Sequence, residues 1–438
     1  MREEYDPIVL KTGSVRLSQL KYFTFSLVGI ALLWPFNCFL SASAYYGERF
    51  AHSPSLVKVY SSTMMSVSTV SSTLYNYYLS QAQAGVNYQH RLNLGLGITI
   101  VVFVIMAISC ISDWFIRMPD VLFFGILMVL VFLSALATCL AQNGTMAIVN
   151  VLGSIYANAV MVGQAVAGVL PSLALIILIL IVGEGPKSIT ELADYVEKDL
   201  GVFVYYITAS VIAVGSIASI YWVNSYGLNG YQLVNENEDH DFDTGISGPE
   251  EPEGVTKKHV PFATLWSKLK LIVLTIFLTF SITLIFPVFA SKVESTHESK
   301  NRFLQKNIYI PFIYLIWNLG DLLGRVLCGY PRLRMLIKNP RTLLTYSIGR
   351  LVFIPLFLTC NIHPGVSKPV INSDLWYILL QLLFGISNGQ LCTSCFMIVG
   401  DYCEEDEKEA AGGFTTVFLS VGLAVGSLLS YFLVMYID

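Results

Sequence analysis

Two side chains inside one apolar run have the types and spacing to do chemistry. Asp321 and Arg325 lie in a stretch that begins near Tyr309 and continues to Leu327. Four residues apart, an acid and a base share one face of a helix, one turn from each other. A charge at mid-bilayer depth costs about 2.5–3.5 kcal/mol on insertion scales, so it faces an interior or a watery path and finds a partner. Buried ionisable groups in such segments mark a substrate or ion route; the blander alternative is that the pair neutralises itself and locks two helices. Gly320 and Gly324 share the same spacing, which lets a neighbouring backbone come close.

The elements that must position this pair are membrane helices. The chain of 438 residues is 55% hydrophobic and only 13% charged, with a mean hydropathy of +0.64. Soluble domains carry about 25% charged residues. The net charge of −4 comes without any basic run that could track phosphates, so no nucleic acid polymer is expected as a partner. The cysteines fall within or beside apolar segments and read as small buried hydrophobes; Cys392 and Cys395 form a lone C-x-x-C without a second pair. The histidines (His52, His90, His240, His259, His297, His363) are scattered in loops, so no convergent set for an enzyme exists at depth and no cofactor is expected.

Stretches long enough to cross about 30 Å of hydrocarbon follow one another. Eleven are read, from 22–40 and 60–79 through 271–290 and 343–359 to 414–436. Residues 1–21 are polar and lack the pattern of a signal peptide, so they read as a cytoplasmic N-terminal tail. Residues 226–265 are rich in clustered acids and read as a disordered cytoplasmic linker. It separates a six-helix bundle (22–225) from a five-helix bundle (266–438), an arrangement in which transporters place a site between the halves. With the N-terminus inside, the cytoplasmic side carries fourteen lysines and arginines against ten, with a cluster over 332–341.

Polar residues inside the spans are few. The second carries hydroxyls (Ser61, Ser62, Ser66, Ser68, Thr69, Ser71, Ser72) that suggest a wet face. Gln164 lies among small residues that read first as a packing face. Pro35 and Pro287 each sit beside aromatics in the first helix of their half, and each removes a helix hydrogen bond. Matched bends around a cavity are expected there, with the aromatics free to sandwich a planar ligand.

Taken in order, several motifs resemble those of equilibrative nucleoside transporters. They are Leu33-Trp34-Pro35-Phe36-Asn37, Asn143-Gly144-Thr145, Gly163-Gln164-Ala165-Val166-Ala167-Gly168, Phe286-Pro287, Asn318 through Arg325, Ser387-Asn388-Gly389, and Glu409-Ala410-Ala411-Gly412 leading to Gly422-Leu423-Ala424. The resemblance covers nearly the whole chain and is similar to fungal and protist members. It implies an all-α membrane protein of eleven helices with a major-facilitator-like fold, acting as a monomer on nucleosides in the lipid bilayer.

By that resemblance Asp321 and Arg325 hold ribose hydroxyls, since a carboxylate accepts from two vicinal hydroxyls and a guanidinium donates in a fixed fork. Asn143 stands where the family has a glutamine that contacts the base, and Phe36 where it has a tryptophan. Leu33, Leu40, Phe286, Tyr314, Asn318 and Leu423 fall where relatives line the pocket. Leu40 and Pro287 form the outer gate, while Arg91 and Glu409 match a pair that closes the cytoplasmic side. Besides Asp321, Arg325 and Arg350 almost nothing titratable lies at depth, which favours uncoupled movement over proton coupling. Nucleobases are the alternative cargo. The plasma membrane or a vacuolar or lysosomal membrane is the expected location.

Overall fold

Apolar runs with internal hydrogen bonds can cross a membrane only as helices or closed barrels, and this chain takes the helical course. The computed structural model describes residues 7–10, 13–83, 85–182, 199–225, 259–297, 304–362 and 368–437. A short antiparallel hairpin, β1 (Pro7–Leu10) and β2 (Gly13–Arg16), precedes the helices. The helices then run α1 (Leu17–Ser41), α2 (Ser43–Arg49), α3 (Pro54–Gln81), α4 (Tyr88–Ile111), α5 (Asp113–Ile116), α6 (Asp120–Leu152), α7 (Ser154–Val182) and α8 (Leu200–Ser225). After the linker come α9 (Phe262–Thr283), α10 (Ile285–Lys292), α11 (Lys306–Cys328), α12 (Pro340–Gly349), α13 (Phe353–Phe357), α14 (Asp374–Ile398) and α15 (Lys408–Ile437).

Among the described residues nine helices are long and apolar enough to span a bilayer. The two other expected spans are present as helix but differ in character. α3 is 28 residues long, and its hydroxyls hold its hydropathy down. The ninth is broken: α12 passes through a 3₁₀ turn, Arg350–Val352, into α13. Pro355 has no N–H for the Leu351 carbonyl, which accounts for the interruption. The first helix begins at Leu17, so the polar tail is shorter than read, and the chain after the linker resumes its helix at Phe262. The expected linker falls mostly on residues 226–258, outside the described residues.

Pro35 and Pro287 behave differently. α1 runs on through Pro35 as one helix, whereas the seventh span breaks at Leu284 into α9 and α10. Pro287 removes the N–H that would have reached the Thr283 carbonyl. The Leu284 carbonyl beside it accepts instead from the Ser430 hydroxyl at 2.7 Å. The expected matched bends are therefore one break and one continuous helix.

Contacts between the part before residue 226 and the part after 258 gather toward one end. Gly412 lies against the Met146–Ala147 backbone, Gly413 against Ser80 and Asn143, and Gly329 against Asn158. Asn150 donates to the Lys408 carbonyl at 3.3 Å, and the Gln83 amide pairs with the Val260 backbone. Small residues at each crossing let the backbones approach.

Candidate functional site

The frame of the site is the pairing of α11 with α14. A Cβ on Gly320 would stand 2.5 Å from the Leu382 carbonyl oxygen, and one on Gly324 2.3 Å from that of Ile386. The reverse holds as well: a Cβ on Gly385 would stand 2.3 Å from the Trp317 carbonyl oxygen, and one on Gly389 2.0 Å from that of Asp321. Two glycine pairs at four-residue spacing thus bring the helices to backbone contact. Gly385 escaped the sequence reading and Gly389 entered it only within Ser387-Asn388-Gly389, although the G-x-x-x-G spacing of the two was visible.

This contact buries the ion pair. Asp321 is 4% exposed and Arg325 6%. Arg325 Nε donates to Asp321 Oδ2 at 2.8 Å, as the four-residue spacing requires. The other carboxylate oxygen, Oδ1, accepts from Asn388 Nδ2 at 2.6 Å. Arg325 also reaches across to α7: Nη1 donates to the Met161 carbonyl at 2.9 Å and lies 3.5 Å from Gln164 Oε1. Asn158 of α7 donates to the Arg325 carbonyl at 2.8 Å. The pair therefore sits at the seam between the two parts of the chain, and one of its members touches both. Gln164, read as packing, is a polar neighbour of Arg325.

One turn along the same face of α11 the site becomes aromatic. Phe286 of α10 stacks on Trp317 (4.5 Å between centroids, 13° between planes) and meets Tyr314 edge-on at 4.8 Å. The Trp317 indole nitrogen is buried without a hydrogen-bond partner. Asn318 donates to the Tyr314 carbonyl at 2.8 Å and to Ser172 of α7 at 3.2 Å, and its amide oxygen fills the space beside Gly168.

Of the remaining predicted residues, Phe36 and Leu40 are exposed, while Leu33, Pro287 and Leu423 are half-buried. Trp34 turns away into the bundle, where its indole donates to Thr208 at 2.8 Å and its ring tilts against Tyr205. It is not free to sandwich a ligand. Asn143 is buried near the clasped end, where its Oδ1 accepts from Arg91 Nη1 at 2.7 Å. Arg91 further donates to the Leu79 and Ala82 carbonyls and lies over the Tyr88 ring. Glu409, in the first turn of α15, is within electrostatic reach of that same tyrosine. Arg91, Asn143 and Glu409 thus share one neighbourhood.

Sequence reasoning gave no role to Arg350 or Asn388. Arg350 is 1% exposed at the centre of the α9–α12–α14 packing. Its Nε donates to Ser387 at 3.0 Å, its Nη1 donates to the Thr279 carbonyl at 3.1 Å, and the guanidinium lies over the Phe384 ring at 4.5 Å. These acceptors and the ring face offset part of the desolvation cost of a buried cation, while its Nη2 is buried without a hydrogen-bond partner.

A family model described as "Nucleoside transporter" matches residues 127–435. The nucleoside transporter FUN26 of Saccharomyces cerevisiae is 39% identical over 97% of this chain and 86% of its own length. Equilibrative nucleoside transporter 1 of Mus musculus is 24% identical over 94% of this chain and 96% of its own, and the equilibrative nucleotide transporter 1 of Arabidopsis thaliana is 24% identical over 96% and 87%. Among solved structures, the proton:xylose symporter XylE of the major facilitator superfamily superposes with a TM-score of 0.59, at 12% identity, over 95% of this chain and 88% of that one. The transporter FucP, in its outward conformation, gives 0.55 at 12% identity over 95% and 91%. These two establish the fold alone.

Proposed function

The chain belongs to the nucleoside transporter family, and from that we propose that it carries nucleosides down their gradients by alternating access. It is an integral, multi-pass membrane protein with a major-facilitator-like fold, and not an enzyme. The observation that carries the reading is the buried Asp321–Arg325 pair at the seam between two sets of helices, one end of it bonded across to α7. The ribose hydroxyls bind Asp321, and Arg325 donates to the sugar oxygens. Phe286, Tyr314, Asn318, Leu33, Phe36 and Leu423 line the cavity around the base, with Asn143 contributing to base selectivity.

Substrate enters where Leu40 and Pro287 part. The opposite end is held by Arg91, Glu409 and the small-residue crossings, and it opens when the two parts rock. Surface ion pairs are worth about 0–1 kcal/mol, a strength that suits a latch broken in every cycle. The lysine and arginine bias supports an N-terminus in the cytoplasm. The chain crosses the membrane eleven times, the protein works as a monomer, and movement is uncoupled. Its membrane is the plasma membrane or that of a vacuole or lysosome.

The test is uptake of radiolabelled uridine, adenosine and hypoxanthine into liposomes holding the purified protein, with and without a pH gradient. Saturable nucleoside uptake that equilibrates and ignores the gradient is expected. Accumulation driven by the gradient overturns the uncoupled reading. Faster hypoxanthine uptake that survives Asp321→Ala favours a nucleobase carrier, because a nucleobase has no ribose for that carboxylate to hold.

A further inference from the structure

The carboxylate of the ion pair is joined to the break in the seventh span by two hydrogen bonds. Asn388 Nδ2 donates to Asp321 Oδ1 at 2.6 Å, and the Thr283 hydroxyl meets Asn388 Oδ1. The amide orientation follows from chemistry: an ionised carboxylate can only accept, so it faces the NH₂, which leaves the amide oxygen for a hydroxyl that must donate. Thr283 is the last residue of α9, directly before the break at Leu284. Phe286 and Pro287 follow within one turn, on the short segment α10.

The Thr283 hydroxyl has a choice of acceptor. It lies 2.6 Å from the Thr279 carbonyl, the usual back-bond of a helical threonine, as well as beside Asn388. One hydroxyl proton cannot fill both. The Thr279 carbonyl already faces the helical N–H four residues on, and Arg350 Nη1 also donates to it at 3.1 Å. Both compete with the hydroxyl for that carbonyl, which biases the Thr283 proton toward Asn388 while leaving the back-bond within reach. A two-position hydroxyl at a helix break, linked through one amide to the carboxylate, is a bistable element of the kind that conformational coupling requires.

We propose that Asn388 and Thr283 are positioning residues that report occupancy of Asp321 to the gate segment Ile285–Lys292. This rests on the reading of Asp321 as the ribose-binding group. When ribose hydroxyls take up Asp321, the Asn388 amide is released, the Thr283 proton returns to its own helix, and α10 is freed to move with Phe286 and Pro287. Arg350 anchors the fixed side of the break.

The experiment compares wild type with Thr283→Val and Thr283→Ser, using purified protein in nanodiscs and liposomes. Three quantities are measured: equilibrium uridine binding, maximal uridine uptake, and amide hydrogen exchange over 284–292 with and without saturating uridine. In wild type, uridine changes exchange in that segment. Thr283→Val, nearly the same shape without the hydroxyl, keeps binding within about threefold, loses about tenfold in maximal uptake, and no longer shows the exchange response. Thr283→Ser restores uptake to within about threefold of wild type. The relay is overturned if exchange over 284–292 in wild type ignores uridine, if Thr283→Val transports normally or loses binding and uptake by one factor, or if serine fails as valine does. Wild type that neither binds nor carries uridine or adenosine overturns the carrier reading itself, and the relay with it.

Discussion

The chain before residue 226 and the chain after 258 place their buried charges differently. In the first part they sit at helix ends. Arg49, in the last turn of α2, pairs with Asp120 in the first turn of α6 at 2.6 Å, and Arg91 lies in the first turn of α4. In the second part Glu407 is paired with Lys268 just before α15, but Asp321, Arg325 and Arg350 lie at depth, with Asn388 and Thr283 bonded among them. Proline follows the same division. α1 stays continuous through Pro35 while Asn37 and Trp34 bond outward, to the Ala167 carbonyl and to Thr208. Around Pro287 the neighbours instead receive the groups at the break: Ser430 takes the Leu284 carbonyl and Asn388 the Thr283 hydroxyl. A proline frees a carbonyl in either case, but a helix separates only where other helices supply partners for the loosened turn. On the proposed reading the first part is a braced wall, and the second holds both the grip and the joint.

That contrast can be broken by mutation, beginning with the charges. Arg325→Ala should reduce uridine uptake by about 100-fold or more at matched protein amounts, because stripping one partner from a buried pair costs about 3–5 kcal/mol. Arg49→Ala should lower thermal stability through the same penalty yet leave the KM of the folded fraction within about twofold. Normal uptake by the Arg325 variant, or a KM effect as large at Arg49, would erase the distinction.

The glycine seam comes next. Gly389→Ala puts a methyl 2.0 Å from the Asp321 carbonyl and should cost about 1–3 kcal/mol of stability, read by thermal unfolding in detergent. Gly97, on α4, has open space for 4 Å around the point where a methyl would stand, so Gly97→Ala should be neutral or gain up to about 1 kcal/mol of helix propensity. Equal losses at both sites would show that backbone contact at the α11–α14 seam is not special.

Restoring the missing N–H sharpens the proline comparison. Pro287→Ala should slow maximal uptake by about tenfold, while Pro35→Ala should stay within about twofold. Matching defects would mean that the continuous helix hinges as well. The smallest effect is expected at Asn143, whose amide is held by Arg91. Asn143→Gln should shift the ratio of adenosine to uridine uptake by about threefold, and an unchanged ratio removes this position from base selection.

Much of the site was legible because its signals are local. The spacing of Asp321 and Arg325 dictates a shared helix face, and the Nε–Oδ2 bond follows from it. Gly320 and Gly324 announced a close helix contact in the same way, though not which helix would supply it. The hydroxyl stripe on α3 was likewise readable, and most of those side chains are half-buried or exposed. Gln164 and Trp34 were not legible. A glutamine among small residues looks like packing until an arginine from another helix arrives, and a tryptophan beside a proline looks available until Thr208 claims its indole.

The residues alone determined a polytopic membrane protein with an acid–base pair at depth, since hydropathy and helical spacing act over a few turns and need no distant partner. Tertiary structure decided what each isolated polar group touches. Asn388 meets Asp321 across 67 positions of chain and Arg325 meets Met161 across 164, distances over which no periodicity carries information. Only the packing of α7, α11, α14 and the broken seventh span sets those encounters, because hydrogen bonds are short-ranged and a shift of one helix by a single turn would exchange every partner.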